Sequence, residues 1–149
     1  MKKSLSEIIS TFEKFAANHK QIAMYTSLPS QEFISANKSY PFFIIETQDA
    51  VIENGQVVLD FNIYALDRIQ KDDSNINDVL SRCLLIMEDF WVFFNENLDA
   101  YGFYLSEQQT PIKRVAYQFS DLLGGYKMAV KCQIPAYRDE SIIPENTFC

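Results

Sequence analysis

The sequence predicts an α+β fold. It is a single domain with a mostly antiparallel β-sheet and a long β-hairpin, backed by two α-helices on one face, in the order α-β-β-β-α-β-β-β. Three observations predict it. Residues 4–18 and about 75–97 carry apolar side chains at helical spacing. Residues 57–66 and 126–134 alternate between two side-chain sets with period two, as strands do. Asn54-Gly55 sits between β-prone runs, and both residues tolerate the positive φ of a tight hairpin turn.

The elements follow in order. Ser4 and Glu7 form a capping box, each side chain satisfying an orphan amide at the first helix start. Leu5, Ile8, Ile9, Phe12, Phe15 and Ala16 then share one helical face. A short apolar run, "QIAMYTSL", precedes Pro29 and a polar loop, about a dozen residues long, in which Phe33 and Ile34 stand out. These two either anchor the loop to the core or dock on a neighbour. Phe42 to Ile45, with Val51 and Ile52, begin the hairpin, and Val57 to Leu66 complete it. Asp72, Asp73 and Ser74 offer capping groups and negative charge to the second helix. That helix carries Ile76, Val79, Leu80, Cys83, Leu84, Met87, Phe90, Trp91 and Phe94 in one stripe and is roughly 33 Å long. An aromatic strand, a break at Pro111, a strand through Val115, Tyr117 and Phe119, and the regular strand from Tyr126 to Ile134 finish the domain. The domain spans 1–137, and residues 138–149 read as an extended C-terminal tail dotted with Ile142, Ile143 and Phe148.

Composition narrows the function. Of 149 residues, 48% are hydrophobic and 14% aromatic, which is enough for a self-sufficient core. A net charge of −7 is a poor match for nucleic-acid binding through phosphate contacts. The cysteines, Cys83, Cys132 and Cys149, are odd in number and form no C-x-x-C, so reduced thiols are expected. Charges at Glu7, Glu13 and Lys14 interrupt the start of the chain, which therefore does not read as a signal peptide. No window approaches 18 uncharged apolar residues, so no membrane span is expected.

Catalytic material is sparse. His19 is the only histidine and lies near a helix C-terminus, where the dipole favours it. Cys83 and Cys132 fall on core-facing stripes, out of place for a Cys–His nucleophile pair. Asp72, Asp73, Asp78, Glu88 and Asp89 read as a helix-start turn and a solvated helix face rather than an acid–base pair. No catalytic residue, metal site or cofactor is expected.

The stretch "SDLLGGYKMAVKCQI" contains a glycine pair that lacks the spacing of a phosphate loop and leads into a strand instead of a helix. Gly124 and Gly125 therefore read as a strand-to-strand bend. Leu122 and Leu123, unusual at such a connection, are either tucked under the sheet or offered to a partner. Replacing both leucines with Asp is expected to weaken assembly and leave the monomer folded.

The order of elements resembles the tail terminator and head–tail joining (neck) proteins of tailed bacteriophages. The resemblance is carried by the N-terminal helix, the hairpin "YPFFIIETQDAVIENGQVVLDFNIYALD", the long helix "SNINDVLSRCLLIMEDFWVFF" and the late "FSDLLGGYKMAVKCQI" step, over about residues 4 to 137. It implies a virion structural protein assembled in the host bacterial cytoplasm. Such a protein is no enzyme; it forms a homo-oligomeric ring, often hexameric, between tail-tube, portal or neck proteins, and DNA passes through without specific binding. Phe33, Ile34, Leu122, Leu123, Gly124, Gly125, Ile142, Ile143 and Phe148 are the candidate subunit-interface residues. The alternative is a small-molecule-binding module or enzyme with an apolar pocket between the long helix and the sheet.

Overall fold

The computed structural model describes residues 4–27, 39–70, 72–96, 104–105, 110–116 and 123–135. Its elements are α1 (Leu5–Asn18), β1 (Met24–Thr26), β2 (Phe42–Glu53), β3 (Gln56–Arg68), α2 (Ile76–Glu96), β4 (Tyr104–Leu105), β5 (Ile112–Ala116) and β6 (Leu123–Pro135). The α+β class and the element order are those the sequence predicts. The strands form one sheet in the order β1-β2-β3-β6-β4, with β5 also on β6. Every pairing is antiparallel except β1 with β2, which runs parallel at Met24–Thr26 against Phe42–Ile44.

Local chemistry sets the element ends. The Ser4 hydroxyl accepts the Glu7 amide at 3.2 Å while the Glu7 carboxylate accepts the Ser4 amide at 3.3 Å, so the expected capping box is present. Asn54 and Gly55 turn the hairpin at φ 52 and 75. Before α2, Asp72 acts differently from expectation: its carboxylate accepts the Ser74 amide at 3.1 Å and closes a turn instead of capping the helix. Asn75 ties that turn to the end of β3, its Oδ1 accepting from the Gln70 amide and its Nδ2 donating to the Arg68 carbonyl.

Both helices lie on one face of the sheet. Ile8, Phe12, Phe15 and Ala16 of α1 and Val79, Cys83, Ile86, Met87, Phe90 and Phe94 of α2 share one core with Phe43, Ile45, Phe61, Ile63 and Met128. Ile86, outside the stripe expected from sequence, is fully buried there. Phe12 meets Phe61, Phe90 and Phe94 edge-on at centroid distances of 5.2, 5.0 and 5.1 Å. Each such pair contributes roughly 0.5–1.5 kcal/mol beyond its buried area.

The other face is not simply solvated. Phe42, Ile44, Tyr64, Leu66, Val115 and Leu123 form a second buried cluster, with Met24 and Tyr40 packed against it. The second half of β3 is therefore buried on both faces, where period-two alternation had implied one. Beyond it that face turns polar: Lys131 donates to Asp60 at 3.1 Å, and Lys127 lies over the Tyr64 ring.

Candidate interaction surface

The two glycines expected at a bend lie inside β6. Gly125 stands opposite Leu66 of β3 and Val115 of β5, and Gly124 opposite Asp67 and Ala116. Their role is close approach. A Cβ on Gly125 would sit 1.9 Å from the Ala65 carbonyl oxygen and 3.1 Å from the Cys83 sulfur, and one on Gly124 would sit 2.3 Å from Ile69 Cδ1. Leu123 is buried in the second cluster, at 2% exposure, so it is not a free contact on this chain. The expectation that a double Asp replacement spares the fold is corrected accordingly, because an Asp at 123 would bury a carboxylate among apolar side chains. Phe33, Ile34, Leu122, Ile142, Ile143, Phe148 and the 138–149 tail lie outside the described residues.

Close to the glycines, Asp67 is a buried carboxylate on the helix side of β3. It accepts from the Arg68 amide and pairs with the Arg82 guanidinium of α2. Burial, and to a lesser degree the Asp67 charge, pushes the neighbouring Cys83 thiol up to about 12, and burial raises Cys132 as well. Neither thiol has the exposed, electropositive setting of a nucleophile. His19 is also committed structurally. Its Nδ1 accepts the Gln21 amide at 3.1 Å, which leaves Nε2–H to donate to Asp89 of α2 at 2.8 Å. Asp89, expected on a solvated face, thus joins the two helices. Among the described residues, no cluster of histidine, cysteine or carboxylate side chains could hold a metal ion. Nor is any described helix long and apolar enough to cross a membrane.

What the fold leaves uncovered is the outer half of the hairpin. The helix layer covers β2 only as far as Ile45, and the next partly covered residue, Glu46, accepts hydrogen bonds from Gln48 at 2.7 Å and Asn62 at 3.2 Å. From Thr47 to Glu53 every residue is exposed. Within this stretch the register slips between Thr47 and Ala50, so Gln48 and Asp49 together oppose a single residue of β3. The slip turns Ala50 and Ile52 toward the helix side, opposite Leu59 and Val57. Ile52 is 74% exposed and Val51 52%, the most exposed large apolar side chains among the described residues. A second exposed apolar patch runs along the outside of α2 at Leu85, Val92 and Phe93. Sequence reading missed both patches. Val51 and Ile52 read from sequence only as β-prone residues of the hairpin, and Leu85 and Val92 fall off the buried stripe. The chain matches no protein-family model, and no curated protein matches it significantly.

Proposed function

We propose that this chain is a virion structural protein, a ring subunit at the head–tail junction of a tailed phage, acting as tail terminator or neck connector. The observation that carries the proposal is the hairpin's outer half. It extends past the helix layer as a paired strand, with one slip in register, and presents Val51 and Ile52 to solvent, as an element built to meet another subunit does. Three pairs of titratable groups in the described part of the chain serve the fold: Asp67 with Arg82, His19 with Asp89, Lys131 with Asp60. Phenyl rings of the two helices and the sheet pack on one another, Phe90 of α2 against Phe43 of β2 and Phe12 of α1 against Phe61 of β3, which favours an assembly role over an apolar ligand pocket. The net charge of −7 suits a channel that DNA slides through without sticking.

The test is electron microscopy and native mass spectrometry of the purified protein, alone and mixed with phage tails and DNA-filled heads. Rings, or protein bound at tail ends or portals, are the expected result. A protein that forms no ring and binds neither particle overturns the proposal.

A further inference from the structure

The sheet has two open edges of opposite character. On one side, β1 pairs only with Phe42–Ile44, so beyond that point β2 pairs with β3 alone among the described residues. On the other side β5 pairs with β6 alone among the described residues. The free stretch of β2, residues 45–53, carries Glu46, Asp49 and Glu53 and no basic residue. β5 carries Lys113 and Arg114 and no acidic residue, and Ile112, Lys113 and Arg114 are exposed. Long exposed edges with apolar side chains are templates for pairing with another chain.

Resting on the ring reading above, we propose that copies of this chain join edge to edge, the outer half of β2 in one copy adding to β5 of the next as an antiparallel pair. Strand direction permits it. β2, β3, β6 and β5 alternate in direction, so β5 runs opposite to β2. A neighbour placed with its sheet faces aligned therefore brings β5 antiparallel to β2. The side-chain faces agree as well. Ile52 and Ile112 lie on the helix side, through their partners Val57 and Met128, while Glu53 and Lys113 lie on the opposite side, through Gln56 and Lys127. Pairing two copies of β2 across a two-fold axis would instead set acid against acid, which destabilises a strand pair.

The geometry also fixes an offset. Arg114 is level with Tyr126 of β6, whereas Ala50 is level, through Leu59, with Cys132, six residues further along. Joined copies are staggered by about 20 Å along the strands. The contact is heterologous, the kind that generates a ring when the rotation closes.

Charge exchange tests this directly. Variant one carries Lys113→Glu and Arg114→Glu; variant two carries Asp49→Lys and Glu53→Lys. All four positions are exposed, and unchanged far-UV circular dichroism and melting temperature verify folding of each variant. Assembly is read by native mass spectrometry across a concentration series. Each variant alone should raise the assembly midpoint about tenfold or more, because like charges then face each other across the joint. An equimolar mixture, and a single chain carrying all four changes, should return it to within about threefold of the unmodified protein, since each joint again pairs opposite charges. The inference is overturned by unchanged assembly of the separate variants, by failure of the mixture to restore it, or by a two-subunit species insensitive to the β5 changes. In those cases rings that still form on tails or heads leave the ring reading standing. An unmodified protein that stays monomeric at every concentration also overturns the edge pairing, and its binding to tails or heads then decides the ring reading separately.

Discussion

Alanine at position 125 should be far more damaging than alanine at position 124, and the structure says by how much. A Cβ on Gly125 meets the Ala65 carbonyl oxygen at 1.9 Å, and φ there is 153, outside the range L-residues favour. The obstacle is backbone in the neighbouring strand, so relief requires β3 and β6 to part by roughly 1 Å where close packing allows little movement. Loosening the ladder around Leu66 and Gly125 forfeits about two hydrogen bonds at ~1 kcal/mol each. Crowding against Cys83 adds roughly 1–3 kcal/mol. Restriction of the unfolded chain returns about 0.4–1 kcal/mol. The balance is a loss of about 3 kcal/mol, a large share of the ~5–15 kcal/mol typical of a domain. For a chain of this length it lowers the melting temperature by about 10 °C. Gly124→Ala meets only the flexible end of Ile69, so it should cost about 1 kcal/mol, and less in an Ile69→Val background that removes the Cδ1 methyl. Urea denaturation of the parent, the three single variants and the Gly124→Ala, Ile69→Val double variant measures all of this. A Gly125→Ala protein within about 0.5 kcal/mol of the parent, or a Gly124→Ala cost unrelieved by Ile69→Val, refutes the reasoning.

Three other perturbations have definite outcomes. Leu123→Ala should lose about 2–4 kcal/mol in chemical denaturation, because it opens a void in the second cluster. Arg82→Ala should cost about 1–3 kcal/mol by the same measurement; it strands the buried Asp67 carboxylate, although Arg82 itself is partly solvated. In a Cys149→Ser background, the thiols of Cys83 and Cys132 should react with a disulfide reagent at pH 8 only as fast as the chain opens. Cys83 also makes stability pH-dependent. Its folded pKa of about 12 stands above the ordinary 9, so stability is full below pH 9 and falls as pH rises from 9 toward 12, which denaturation at stepped pH will register.

Much of the fold was legible because its signals are local. The Ser4–Glu7 box, the Asn54-Gly55 turn and the apolar stripes of α1 and α2 depend on residues within a few positions of each other. What escaped notice depends on distant residues. The first strand has its place in the predicted order, but its parallel direction does not show: β1 is three residues long, and its partner in the sheet is set by pairing, not by period. The glycine pair looks like punctuation in isolation, and its reason is Ala65, Ile69 and Cys83, none of them nearby in sequence. Periodicity reports which side of a strand is apolar but not where the covering layer stops. Val51 and Ile52 therefore read simply as β-prone strand residues, and it is the burial along β2, which stops after Ile45, that sets them apart. The second cluster was hidden for a different reason: Tyr64 and Leu66 lie far in sequence from Val115 and Leu123, and the four gather only when three strands align.

The uneven cover along the hairpin divides one strand pair into two regimes of opening. Near Phe43 and Ala65, separating β2 from β3 means exposing both clusters at once, so amide exchange there proceeds only through global unfolding. Near Val51 and Val58, the β2 residues are already exposed and only the β3 side is covered, so the same separation exposes less and exchange follows a lower-energy local opening. Deuterium uptake along β2 should therefore step upward past Ile45 within a single continuous strand. A bound neighbour would abolish that step, because the outer amides would then share the protection of the core.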